Sequence, residues 1–238
     1  MRFLTLTVVL SFQVLCLAPV AGAQSADDIV AWQALIRSPI GGTLAAPPAG
    51  VAAGERATVS LNYGSWRFGP GDDEFTNLGA VMRFPAGRMS ILLIGMVSFV
   101  KDCPVCGGSA LGGGLHLGLA SLTPGGVDGV RFDIALQPMA NYASWGEGEI
   151  SSLTAAASLP MSLSFPVGPV TLRPFVSPGF GYGKASDGDV SYGGTRSLLG
   201  YGIGIADRSG SIQAHVGTMT VTLKDAPTVT GFGLTVRF

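Results

Sequence analysis

Phe232-Gly233-Leu234-Thr235-Val236-Arg237-Phe238 closes the chain, and its reading decides the fold. Phe232, Leu234, Val236 and Phe238 alternate strictly with Gly233, Thr235 and Arg237. Period-2 alternation puts one set on each face of a β-strand. A soluble sheet can carry the same pattern, but a frayed end gives a large apolar ring little to bury against. At a membrane interface the ring sits at headgroup level while the carboxylate stays wet. The stretch is therefore expected to be the closing strand of a transmembrane β-barrel.

The other end of the chain agrees. Arg2, a mostly apolar run from Phe3 to Leu17, and Ala18-Pro19-Val20-Ala21-Gly22-Ala23-Gln24 have the layout of a secretory signal. Cleavage is expected between Ala23 and Gln24, so residues 1–23 stand outside the fold. The run is shorter than the roughly 20 apolar residues of a spanning helix. Cys16 follows Leu15 rather than a small residue, which argues against lipidation.

Composition points the same way. Charged residues make up 12% of the chain, against roughly 25% in soluble domains. Mean hydropathy is +0.45, a value that suits a protein with much of its apolar surface in lipid. Yet Met89 to Val100, the most apolar segment after the signal, is interrupted by Ser90, Gly95 and Ser98. Only helices and closed barrels satisfy every backbone group in hydrocarbon, so the barrel remains. A net charge of −1 excludes the basic footprint of a nucleic-acid partner.

Short alternating segments separated by turn formers predict an all-β, closed, antiparallel up-and-down barrel of about ten strands, with eight as the alternative. Strands are expected near 56–68, 76–84, 88–100, 109–122, 130–142, 150–165, 169–183, 196–206, 211–222 and 228–238. Tight links such as Pro85-Ala86-Gly87, Pro166-Val167-Gly168 and Asp207-Arg208-Ser209-Gly210 alternate with longer polar ones. An even strand count puts both termini on the periplasmic side. Two aromatic belts are expected. Phe84, Phe132, Phe165 and Phe238 form one, and Trp66, Phe68, Phe99, Tyr142, Trp145, Phe180 and Tyr182 the other.

With its signal peptide, Gly-rich strands and terminal F-x-L-x-V-x-F, the chain resembles the small outer-membrane β-barrel proteins of Gram-negative bacteria. Leu172 to Gly183 and Leu199 to Ile205 look like late strands of that family, with apolar residues facing lipid and glycines facing in. The resemblance covers residues 56–238 and implies an outer-membrane location. It also implies that the barrel-assembly machinery reads Phe232, Leu234, Val236 and Phe238. It says almost nothing about activity.

Residues 24–55 are expected to form a periplasmic helix and linker ahead of the barrel at 56–238. Ser25-Ala26-Asp27-Asp28 can cap a helix, Ile29, Trp32 and Ile36 fall at helical spacing, and Pro47-Pro48 marks a linker. The sharper alternative is a plug folded into the lumen.

Placing the apolar sets on lipid points Arg83, His116, Arg131, Asp133, Arg173, His215 and Arg237 into the lumen. A lipid-facing Arg costs about 2–4 kcal/mol at the midplane, which confines such charges to the interior. The excess of Arg over acid would favour anions in an open lumen. The competing reading is a charge cluster that fills a closed one.

Cys103-Pro104-Val105-Cys106 falls in a predicted outer loop, where an oxidising compartment makes a disulfide the default. No metal or cofactor is expected. Acids at the outer rim have no nearby His, so enzymatic activity is not expected either. The functional expectation is an integral outer-membrane barrel with a structural or surface-interaction role. It would contact outer-membrane lipids and lipopolysaccharide, act as a monomer and bind no nucleic acid. A narrow passive pore is the alternative, and an outer-membrane enzyme a more distant one.

Overall fold

The structure is a computed structural model that describes residues 34–35, 56–67, 74–87, 89–101, 103–123, 129–146, 150–187, 189–221 and 228–238. Eleven strands follow one another. They are β1 (Thr58–Arg67), β2 (Glu74–Ala86), β3 (Met89–Val100), β4 (Cys103–Leu122), β5 (Arg131–Trp145), β6 (Ile150–Ser158), β7 (Met161–Val167), β8 (Val170–Asp187), β9 (Val190–Asp207), β10 (Ile212–Val221) and β11 (Val229–Arg237).

Every pairing is antiparallel between neighbours, and β11 returns to β1 to close the ring, from Thr58↔Arg237 to Ser65↔Thr230. Beyond the strand, the Phe238 amide still donates to the Ala57 carbonyl at 3.0 Å. The terminal alternation thus forms the seam of the barrel. Its outer face carries Phe232, Leu234 and Phe238 exposed, and its inner face buries Thr235.

The wall has ten staves, because β6 and β7 lie end to end between β5 and β8. A single strand over 150–165 was the expectation, and Pro160 is the reason for the break. Proline has no N–H to give to the ladder. The backbone is rescued across the gap, with the Leu159 amide donating to the Pro178 carbonyl at 2.8 Å and the Ala135 amide to the Pro160 carbonyl at 2.9 Å.

Three of the tight turns carry the glycine that their backbone requires. Gly87, Gly168 and Gly210 sit at φ 66, 60 and 68, in the left-handed region that costs other residues a Cβ clash. These turns share one end of the barrel with the start of β1 and the end of β11, here called the terminus end. The opposite, far end carries the links after β1, β3, β5, β8 and β10.

Alternation sorts the side chains. β3 reads exposed and buried in turn, with Ile91, Leu93, Val97 and Phe99 outside and Ser90, Leu92, Ile94 and Ser98 inside. Tyr201, Ile203 and Ile205 likewise cover the outside of β9. No helix among the described residues is long and apolar enough to cross a membrane.

Trp66 and Trp145 depart from the expected belt. They are 2% and 4% exposed and point inward. Trp66 stacks on Phe75 with ring centroids 4.1 Å apart, and the Trp145 indole donates to Ser152 Oγ at 3.3 Å. Each shares the parity of polar inward neighbours, such as Asn62 or Asn141, and parity outranks position along the strand. Phe99, Tyr142, Phe180 and Tyr182 do face outward near the far end. Phe68 lies outside the described residues.

Candidate functional site

Among the described residues, the buried polar and charged side chains gather in the lumen, which has two halves. Toward the far end apolar side chains gather, interleaved with buried Asn77, Ser98, Asn141 and Ser152. Trp66, Phe75, Val100, Met219, Val221 and Val229 belong to one buried cluster, and Met96, Ala110, Ala143 and Trp145 form a second. Toward the terminus end the lumen is polar, with Ser60, Asn62, Arg83, Ser90, His116, Asp133, Gln137, Gln213 and His215 all buried.

Inward glycines make room for larger neighbours rather than leaving space. A Cβ on Gly202 would meet the Phe175 ring at 2.7 Å, and one on Gly108 would strike the Trp145 indole. Leu35, in the described part of the N-terminal segment, is fully buried and joins the larger apolar cluster. Its Cδ2 lies 2.6 Å from where a Cβ on inward-facing Gly181 would stand. Ala34 and Leu35 are helical and sit inside the barrel; the rest of residues 24–55 lies outside the described residues.

In the polar half, most inward side chains pair with one another. Arg83 Nε donates to Ser90 Oγ at 3.0 Å, and His116 Nδ1 lies 3.0 Å from Gln137 Oε1. His215 Nε2 faces Asn62 Oδ1 at 3.3 Å. Ser60 and Thr235 hydroxyls bond at 2.7 Å across the β1–β11 seam. Arg131 Nε bonds Asp133 Oδ2 at 2.9 Å, with Asp133 buried and Arg131 45% exposed at the rim. Arg173 Nη1 donates to Gln213 Oε1 at 2.8 Å.

Arg83, His116, Asp133 and His215 are thus buried in the interior, while Arg131, Arg173 and Arg237 are less enclosed. Gln137, Gln213 and Asn62, their partners, were not singled out from the sequence. The signal was available, since Gln137 and Gln213 share strand parity with Asp133 and His215.

Cys103 and Cys106 are joined by a disulfide with Cα atoms 5.3 Å apart, at the start of β4 on the far end. The pair closes a four-residue stretch where the chain enters the wall. No group of three or more His, Cys, Asp or Glu side chains among the described residues could hold a metal ion.

No family model matches the chain, and no curated protein matches it. Solved structures with a likeness to it include an attachment protein and two autotransporter domains. The attachment invasion locus protein Ail of Yersinia pestis is 15% identical, with a TM-score of 0.30, over 78% of this chain and 100% of that one. The translocator domain of the autotransporter NalP from Neisseria meningitidis is 11% identical, with a TM-score of 0.31, over 76% and 87%. The β domain of the Bordetella autotransporter BrkA is 10% identical, with a TM-score of 0.29, over 77% and 98%. The barrel of this chain stands on its own closed hydrogen-bond ladder.

Proposed function

We propose that the chain is an integral outer-membrane barrel, exported by a cleaved signal at residues 1–23, whose lumen is filled and whose working surface is its far, loop-bearing end. The observation that carries this reading is the pair of buried apolar clusters inside the lumen. A water column needs polar walls or a wide bore, and an apolar constriction excludes water. Trp66 stacked on Phe75, and Leu35 in the same buried apolar cluster as Leu92, Leu198 and Met219, support such a constriction. Ten staves enclose somewhat more volume than eight, and large inward side chains use that volume here.

The exposed apolar outer wall favours lipid as the surrounding solvent, with lipopolysaccharide reached from the far end. The closing strand is the segment offered to the assembly machinery, and the protein acts as a monomer. His116 and His215 serve as packing partners within the wall and not as catalysts.

Refolded protein inserted in planar bilayers tests the reading. Silent membranes, from a sample whose unboiled form shifts on a gel, are the expected result. Steady unitary conductance would overturn the filled lumen and favour the narrow pore.

A further inference from the structure

We propose that the terminus end of the lumen is a binding site for a multivalent oxyanion of the phosphate or phosphomonoester class, held between Arg173 and Arg237 beneath the β9–β10 turn. Both guanidinium tips converge on one point. The position that a Cβ would take on Gly210 lies 3.5 Å from Arg173 Nη2 and 3.6 Å from Arg237 Nη1. Two cations brought this close repel, and neither can shed its charge by losing a proton.

Two acids lie nearby, and Asp207 is committed within its own turn. Asp207 Oδ1 accepts the Ile212 amide at 2.8 Å, and Oδ2 accepts from the amide and hydroxyl of Ser209. Asp133 Oδ2 is taken by Arg131, while its Oδ1 has no hydrogen-bond partner among the described residues. Around them, Arg237 is within electrostatic reach of Arg131, Arg56, Arg83 and Asp207, and Arg173 of Arg237, Arg131, Asp133 and Asp207, five arginines counting the pair itself against two acids. Positive charge is in excess at this end of the lumen.

Donors are in excess too. Arg173 Nε and Arg237 Nε are buried atoms without a hydrogen-bond partner among the described residues. Gln213, itself buried, holds the Arg173 guanidinium through Nη1 and leaves the Nε side of its fork unused. A planar fork presents paired N–H groups that match two oxygens of a phosphate or carboxylate. Two guanidinium groups at one gap suit a tetrahedral oxyanion better than a single carboxylate, because both can be engaged at once. Gly210 leaves that gap open by carrying no side chain.

The same chemistry fits a free phosphate-type solute or a lipid headgroup. Equilibrium dialysis of radiolabelled inorganic phosphate against the full mature chain, refolded in phosphate-free non-ionic detergent, tests the site. Saturable binding is expected, weakened at least tenfold in Arg173→Gln and in Arg237→Gln, each checked for the gel shift of a folded barrel. Arg173→Lys, which keeps the charge and loses the fork, should also weaken it, and serves if the glutamine variant does not fold. Displacement by glycerol 3-phosphate identifies a soluble phosphomonoester, displacement by phosphatidylglycerol bicelles a headgroup, and displacement by neither the inorganic ion. No saturable binding by the wild type, unchanged binding in the folded variants, or equal displacement by chloride would overturn the proposal.

Discussion

His215 Nε2 lies 3.3 Å from Asn62 Oδ1 across an intervening strand. Gly233 is the residue between them, in register with His215 on one side and with Asn62 on the other. The bond exists because β11 presents no side chain at that level. One glycine of the terminal motif therefore decides whether two buried polar groups, 153 residues apart in the chain, can meet.

Gly233→Ala should destabilise the barrel although its outer face is untouched. The new Cβ would collide with both His215 and Asn62. Overpacking costs about 1–3 kcal/mol, and a buried polar group deprived of its partner about 1–3 kcal/mol more. A lower urea midpoint for unfolding in detergent or bilayers is the readout. An unchanged midpoint would show that the wall yields at this level.

Trp66 and Trp145 should escape quenching by brominated lipid. Both indoles are buried in the interior, so bromines on the acyl chains stay a wall thickness away. The measurement is cleanest in a Trp32→Phe background. Strong quenching would return the two residues to an outer aromatic belt.

The disulfide should be local in its effect. Cys103 and Cys106 are three positions apart, and a loop this short removes little entropy from the unfolded chain, about 2 kcal/mol in the chain-entropy view. The double change Cys103→Ala with Cys106→Ala should lower the thermal midpoint by a few degrees and leave the gel shift of the barrel intact. Alkylation should label both thiols only after reduction.

Phe238→Ala should separate assembly from stability. The ring is 70% exposed, and the amide bond to Ala57 survives the change because it belongs to the backbone. Reduced outer-membrane accumulation in cells, beside near-normal refolding in detergent, is the expected pair of results. Equal loss in both assays would make the ring a structural element only.

The fold was largely legible before any coordinates. Low charge, short alternating segments and glycine-bearing turns point to ten staves, because a barrel repeats one local rule around its wall, but β4, β8 and β9 run four to six residues farther toward the far end than expected. The misreadings are instructive. Pro160 splits a predicted strand, yet the ladder re-forms around it. Trp66 and Trp145 were assigned by their nearness to strand ends, when their parity with Asn62 and Asn141 was the better guide.

The candidate site was legible only in part. Alternation could say that Arg173 and Arg237 share the inner face, since each sits between outward apolar residues. It could not say that they converge. That depends on the stagger of β8, β9, β10 and β11, which brings both guanidinium groups to the level of the β9–β10 turn.

The sequence by itself determined which side of the wall most residues take, the run Asp133-Ile134-Ala135 beside the β4–β5 register shift being an exception, and that the terminal alternating stretch supplies a strand. A period of two is a property of neighbours in the chain and needs no knowledge of the rest. Only the tertiary structure decided which inward residues meet. It set Asn62 against His215, Trp66 against Phe75, and Leu35 among the residues of the lumen. Register and closure couple residues far apart in sequence, and a one-residue slip would have paired a different set.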